Sequence, residues 1–576
     1  MARRPTAARG ASPRAVTAGA LRDPPPIADG VGILVLPDQL TTAVGPLARI
    51  VPGSREVVLV ESREWLSRRP YHVQRVALLL AHVRAFAQEL RAAGHRVRLL
   101  QGDAPMADLV RDRCRASQAG LVAMEPAERE MRAEFAPVVA DGALAWVRNE
   151  MFLTERDEFR ASAGHPWKMD SFYRAVRART GILMDERGAP LGGKLSFDSE
   201  NRKPWKGSPP APEPPRFANP RDAVSRDVRA AVTRDVAERF SHHPGTLDLD
   251  ALPVTQSEVR QLWEWAMREC LPHFGPWEDA MSTRSRGLFH TRISPLLNIG
   301  RVLARDLVGD ALALDLPLQC TEGFVRQVIG WREFVRHVHM ETDGFRTGDF
   351  ARGGDPASLP GDGGYARWSG ETWRAHAPAP PGVDGGGRPA AFGQATPLPP
   401  AYWGARSGMR CLDHVVSDVW AESWSHHITR LMVLGNIATL LDVSPRELAD
   451  WFWVAYADAW DWVVEPNVMG MATFGAGGVM TTKPYVCGGA YIGRMSDYCR
   501  GCAFDPSSDC PVTSLYWAYL ERHERHLDSN PRMWMPLNAM RKRNEDRRRA
   551  DAERFVSVRD LLVRGERIDG ALPGLS

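Results

Sequence analysis

No run of eighteen or more apolar residues occurs in the 576-residue sequence, which argues against a helical membrane span. The N-terminus lacks the apolar core of a secretory signal, so the chain is expected in the cytoplasm and no disulfide framework is expected from its eight cysteines. A strong charge of either sign is also missing. The formal balance is +3, so only a local basic patch could serve a nucleic-acid partner. No GxGxxG turn follows the first expected strand, which removes the usual dinucleotide fingerprint.

What is present is ordinary globular composition, with 44% hydrophobic and 25% charged residues, on a length that allows two or three domains. Residues 1–30 are basic, Pro- and Ala-rich and poor in acids, and are expected to be a disordered tail. Apolar runs at Gly32–Leu36, 56–62, His95–Leu100 and 120–126 read as strands, with a helix from His72 to Ala93 closed by Gly94. Alternating strands and helices predict a parallel α/β, Rossmann-like domain over 31–160, with its ligand site at the carboxyl ends of the strands. Residues 161–250 carry a helix to Thr180 and then read as an ordered connector. From 251 to 576 the pattern is helical, interrupted by a Pro/Gly-rich segment at 344–397 that reads as a flexible surface insertion. Phe324, Val328, Trp331, Val335 and Val338 form one apolar helix face. Ser444, Pro445 and Glu447 start another helix, expected to run on through ELADWFWVAYADAWDWVV.

Three features carry chemistry. Cys499, Cys502 and Cys510 have the spacing C-x2-C-x7-C, which fits zinc or an iron–sulfur cluster equally once a fourth thiolate, from Cys411 or Cys487, is added. His426 and His427 are one residue apart, so they cannot share a helix face; one can meet a ligand while the other meets backbone, and either could donate a proton near neutrality. Asp458 falls on a tryptophan-lined face of the expected helix. It is either solvated or buried with a hydrogen-bonding heterocycle. Beyond these, Lys483, Tyr485, Tyr491 and Arg494 interleave cations with aromatics, as suits an exposed base on a nucleic-acid backbone or a packed structural loop. The run RKRNEDRRR at 541–549 could contact phosphates or be a solvated face.

Together these stretches resemble the photolyase/cryptochrome family, and within it the bacterial iron–sulfur branch of prokaryotic (6-4) photolyases. The motifs are ILVLPDQL at 33–40, LGGKLSFDSENRKP at 191–204, LFHTRISPLLNIG at 288–300, EGFVRQVIGWREFVR at 322–336, SHHITRLMVLGNIATL at 425–440, YADAWDWVVEPNVMGMA at 456–472 and TTKPYVCGGAYIGRMSDYCRGC at 481–502. The resemblance implies an antenna domain, a helical FAD domain, and light-driven electron transfer from reduced FAD to a (6-4) lesion in UV-damaged DNA. A blue-light receptor with the same cofactors, or a non-catalytic nucleic-acid module, are the alternatives. It implies a [4Fe-4S] cluster on Cys411, Cys499, Cys502 and Cys510, with Cys487 left out. It places FAD against His290, Thr291, Arg292, Ser294, Asn298, Glu322, Arg326, Trp331, Arg332, Asn436 and Asp458. It gives His427 the proton-donor role with His426 positioning it, and DNA contacts to Lys483, Tyr485, Tyr491, Arg494 and Met495. An antenna chromophore resembling 6,7-dimethyl-8-ribityllumazine is expected at Pro37, Asp38, Gln39 and Glu125, with His72 and Gln74 as lesser candidates. The family's electron relay maps to Trp451 and Trp403, but Phe452 stands where a tyrosine is usual, leaving a direct hop or a detour through Trp453. The chain is expected to be a monomer.

Overall fold

The computed structural model describes residues 29–347 and 379–570. The expected N-terminal tail therefore lies outside the described residues but for its last two, as does the middle of the 344–397 segment. Five parallel strands, β1 (Gly32–Val35), β2 (Glu56–Ser62), β3 (Arg96–Gly102), β4 (Leu121–Met124) and β5 (Leu144–Val147), form one sheet in the order β3-β2-β1-β4-β5. The parallel pairing runs in register from Ile33 opposite Val57 to Met124 opposite Val147. β1, β2 and β4 are almost wholly buried, as an apolar strand covered on both faces must be. The order reverses between β1 and β4, and the loops that leave those two strands carry Asp38, Gln39 and Glu125. Helices α1 (Val73–Ala92), α2 (Met106–Ser117) and α3 (Arg129–Ala140) supply the crossovers. His72 caps α1, its Nδ1 accepting from the Gln74 amide at 3.0 Å.

The stretch read as a connector contains a helix that the sequence reading left out, α4 (Ala223–Arg239), N-capped by Asp222. Its Val228, Val232 and Val236 are buried at four-residue steps, and it packs on α1. The rest of the described chain is helical. Four π-helical turns interrupt it, at Ala266–Cys270, Arg326–Trp331, Arg430–Gly435 and Pro466–Ala472. The second of these splits the expected apolar face: the extra residue per turn leaves Trp331 only partly buried while Phe324, Val328, Val335 and Val338 stay in the core.

The largest departure from the sequence reading lies after Ser444. The Ser444 side chain accepts from the Glu447 amide and Pro445 opens the helix as expected, but the helix ends at Ala455. Tyr456 is extended and a new helix starts at Asp461. Asp458 is therefore in a turn, off any helix face. The cause is Arg75 on α1. Its guanidinium, 1% exposed, donates to the carbonyls of Trp453 (3.3 Å), Tyr456 (3.3 Å) and Ala459. Nearby the His72 amide donates to Val454 O at 2.8 Å, and the Ala457 amide to Ser423 O at 2.9 Å. Carbonyls that a continuing helix would satisfy internally are thus taken by the α/β domain. The same contacts weld the two halves together, assisted by Arg301, which grips Glu89 of α1 through two 2.8 Å bonds.

The ends of the segment read as a flexible insertion are packed. Arg346 binds Asp384 at 2.7 Å, the Ala391 amide donates to Gly475 O at 2.7 Å, and Phe392 stacks on His523 at 4.9 Å. His72 and Gln74 face this half rather than the strand-end loops: His72 Nε2 reaches Trp420 O at 3.0 Å, and Gln74 exchanges two bonds with the Asp248 backbone.

Replacing Arg75 with Met should destabilise the fold by about 3–5 kcal/mol, because buried carbonyls lose a charged donor; the denaturant midpoint measures this. His337 offers a pH-dependent test. It is buried, bonded to Thr154 Oγ1 at 2.8 Å, and its pKa is driven well below normal by burial and by Arg336 and Arg156. A depressed histidine pKa means the unfolded chain binds the extra proton, so this contribution is complete above about pH 6.5 and is lost as pH falls below it. Thermal midpoints should fall less steeply from pH 6.5 to 5 in H337Q than in the wild type.

Candidate functional site

The turn that Arg75 creates delivers Asp458 into a polar cluster. Asp458 is 4% exposed, which removes the solvated reading. Arg430 grips it through two bonds, Nη1 to Oδ1 at 3.0 Å and Nη2 to Oδ2 at 2.9 Å. Ser294 Oγ donates to Oδ2 at 2.6 Å and Asn298 Nδ2 to the Asp458 carbonyl at 2.8 Å. Burial opposes the Arg430 charge, but Asp458 and Tyr456 outweigh it and its pKa rises. Arg332 reaches Asn298 Oδ1 at 3.5 Å and lies over Phe152 at 4.2 Å. The sequence reading missed Arg430; its one signal was a position one helical turn after His427.

A histidine cluster adjoins this one. His290 and His426 stack with centroids 4.5 Å apart and planes 6° from parallel, and His427 meets the His290 ring edge-on at 5.3 Å. Burial, then neighbouring imidazoles, holds His290 and His426 far below the ordinary histidine range, so both are neutral at pH 7. His427 differs: its side chain is 40% exposed and its Nε2 lies 3.7 Å from Asp279 Oδ1. Adjacent residues thus point to different surroundings, as their spacing requires.

Three buried polar atoms in these two clusters have no hydrogen-bond partner among the described residues: Arg332 Nη2, His290 Nε2 and His426 Nδ1. They offer donors and acceptors that a polar heterocycle with phosphates could use. Other residues expected around such a ligand are occupied differently. Arg292 pairs with Glu422 at 2.8 Å and covers Trp424. Glu322 accepts from the Phe197 amide at 2.9 Å and from Tyr173 at 3.2 Å, and Arg326 pairs with Asp198 at 2.9 Å, so both lock the connector. Asn436 clamps the Cys487 backbone through bonds of 3.0 and 2.9 Å. Thr291 is buried.

Cys411, Cys499, Cys502 and Cys510 line one cavity with Met409, Ile492, Tyr498, Phe504 and Val512. Cys487 is outside it. Burial raises the Cys411 pKa strongly, and the other three thiols raise it further; Cys499 is pushed up to about 11. Four thiolates therefore need a compensating cation. Among the described residues no set of three or more His, Cys, Asp or Glu side chains is arranged to hold a metal ion; the four thiols line the walls of the cavity. Gly489 and Gly493 make room for it. A Cβ on Gly489 would lie 2.9 Å from Cys510 Sγ, and one on Gly493 3.4 Å from Cys499 Sγ.

On the surface near His427, Arg494 lies over Tyr491 at 5.4 Å, and Lys483 is half-buried beside Arg532 and Arg202. Tyr485 is also partly buried. Met495, expected as a DNA contact, is 1% exposed; it ends helix Gly489–Met495 facing the core and cannot touch DNA. The 541–549 run is largely neutralised: Arg541 pairs with Glu524 and Asp528, Arg543 with Asp551, Arg548 with Glu521 and Arg549 with Asp546. At the strand ends, Gln39 donates to Met124 O at 2.8 Å. Asp38 is buried with Oδ1 unbonded among the described residues, and burial pushes its pKa up to about 7.

Trp451 is fully buried, and Trp403 nearly so. Trp453, expected as a possible carrier, lies under the Arg69 guanidinium at 4.1 Å; no ring contact joins it to Trp451 or Trp403 among the described residues. A cation that close disfavours a positive hole on the ring. No helix among the described residues is long and apolar enough to cross a membrane.

The chain is similar to several known proteins. Residues 33–251 match the family model of the deoxyribodipyrimidine photo-lyase-related proteins. A (6-4) photolyase of Agrobacterium fabrum is 32% identical over 550 residues, 92% of this chain and 99% of the relative. Among solved structures, a bacterial class III photolyase from Agrobacterium tumefaciens is 14% identical, covering 93% of this chain and 99% of its own at a TM-score of 0.49. The cryptochrome of Synechocystis sp. PCC6803 is 12% identical, covering 87% and 90% at 0.46. With a relative aligned almost end to end, the chain belongs to the photolyase/cryptochrome family, alongside the bacterial (6-4) photolyase and the photolyase-related proteins.

Proposed function

We propose that this protein reverses pyrimidine–pyrimidone (6-4) photoproducts in UV-damaged DNA under light. The observation that carries the reading is the histidine arrangement: a neutral, buried His290–His426 stack that fixes an exposed His427 beside Asp279. Splitting a (6-4) product requires a proton as well as an electron, because a group must return to its parent base. His427 is placed to move that proton at Nε2, which lies 3.7 Å from the Asp279 carboxylate. His426 orients it through the backbone and supports it without competing for the proton.

The family implies FAD, which when bound supplies the light-driven electron. Ser294, Asn298, Arg332 and the Asp458–Arg430 pair would hold it, with the unbonded atoms of Arg332, His290 and His426 turned to its polar groups. The lesion must be flipped out of the duplex to reach it. Lys483 and Arg494 would hold phosphates, and Tyr485 and Tyr491 would stack on exposed bases. At the strand ends, Asp38 near its neutral form can donate a hydrogen bond to a lumazine antenna, beside Pro37, Gln39 and Glu125. The four cysteines would hold a [4Fe-4S] cluster. Cys411 lies in the first turn of helix Arg410–Glu422 and Cys510 precedes helix Pro511–Arg522, so such a group ties the C-terminal helices to the FAD region.

The deciding assay illuminates purified protein with DNA carrying one (6-4) product or one cyclobutane dimer. Repair of the (6-4) substrate is expected; repair of neither under reducing conditions would favour a blue-light receptor. H427A should abolish (6-4) repair while retaining wild-type FAD content, and equal repair would remove His427 from the mechanism. Iron and acid-labile sulfide should be present in equal amounts and should both drop in G489V, whose side chain enters the cysteine cavity. Zinc without sulfide would overturn the cluster.

A further inference from the structure

Phe452 stands where the family relay uses a redox-active phenol; its ring meets Trp451 edge-on at 5.1 Å, but a phenyl group is too hard to oxidise to carry a hole. Phe452 stacks on Tyr456 at 5.3 Å, 13° from parallel; no ring contact joins it to Trp403 among the described residues. A different indole bridges the gap. Trp420, on helix Arg410–Glu422, lies 6.2 Å from Trp451 at 81° and 5.5 Å from Trp403 at 25°. Both distances are within the range of direct aromatic contact. The Nε1 groups of Trp420 and Trp451 donate to the same carbonyl, Tyr402 O, at 2.8 and 2.9 Å, which fixes the two rings relative to each other. Trp451 is wholly buried, whereas Trp420 is partly exposed.

Resting on the flavin reading above, we propose that Trp420 is the middle carrier of the electron relay, replacing position 452. Trp451 gives one electron to the photoexcited oxidised flavin and becomes an indole radical cation. Trp420 refills Trp451, Trp403 refills Trp420, and an external thiol reductant supplies the final electron. One electron enters at Trp403, which is 9% exposed, for each that reaches the flavin. No proton moves in the inner hop, because a backbone carbonyl accepts the N–H bonds without taking the proton. The other rings touching Trp451 are poorer carriers. Tyr402 (5.3 Å) and Tyr456 (6.0 Å) are buried phenols bonded to Leu434 O at 2.7 Å and Ser425 Oγ at 2.9 Å. Neither partner is a base, and an oxidised phenol must shed its proton. Burial raises both phenol pKa values. Tyr456 also lies 4.0 Å below the Arg430 guanidinium. His72 also stacks on Trp420, at 5.7 Å; burial keeps it neutral with a pKa of about 4, so it does not repel a hole.

The test is flash transient absorption on the flavin-loaded protein, with thermal midpoint and FAD content as controls. W420F should lose the long-lived indole radical while Y402F and W453F keep it. In W420Y, a partly exposed phenol can release its proton to water, and a tyrosyl signal should appear. Wild-type radical yield in W420F, or loss of it in Y402F, overturns the proposal. If W420F is too unstable to measure, absence of a tyrosyl signal in W420Y does so. Repair by wild-type protein reduced chemically beforehand separates the two readings: its failure overturns the proposed reaction, whereas radical loss confined to W420F supports the relay.

Discussion

The guanidinium of Arg75 is the point on which the rest of the structure depends. One buried cation from the α/β domain satisfies three carbonyls around the Trp453–Ala459 bend of the helical domain. Burying a guanidinium without partners is costly, so these bonds couple the docking of the two domains to the end of the helix. That ending puts Asp458 in a turn, where Ser294, Asn298 and Arg430 converge on it. Domain docking and site geometry are in this sense the same interaction.

From there the polar interior is organised by pairing. Arg430 is held by Asp458, Arg292 by Glu422, Arg326 by Glu278, Glu322 and Asp198. Where both partners are buried, as in Arg326–Glu278, breaking the pair leaves a buried charge alone. The histidines follow the opposite rule. His290 and His426 are buried without a charged partner and give up protonation, while His427, a residue further on, keeps contact with water and a carboxylate. In the proposed reaction, the contrast between a buried neutral stack and a water-facing imidazole suits the pair to proton transfer.

The cysteine cavity and the tryptophan stack flank this interior, and both are set by backbone features. Two glycines leave room among the thiols, and one carbonyl orients two indoles. Family membership implies FAD; which residues of this chain would meet it is proposed from the local geometry. The difference is plainest at position 452, where the expected redox-active ring is missing and Trp420 touches both Trp451 and Trp403.

Much of this was legible in the sequence. Four of the five strands, the cap at Ser444, the cysteine spacing and the adjacent histidines are local patterns, governed by period, capping and side-chain chemistry. The long apolar run after Ser444 also satisfied helix periodicity, and nothing local marked its break, because Arg75 acts from some 380 residues away. The same holds for Met495, whose place at the end of a short helix turns it into the core, for Arg430, whose partner is 28 residues distant, and for Trp420, which becomes a neighbour of Trp451 and Trp403 only when three separate segments pack. Local propensity decided the elements and the reactive residue types; which of those residues meet was decided by long-range packing and by where buried charge could be satisfied.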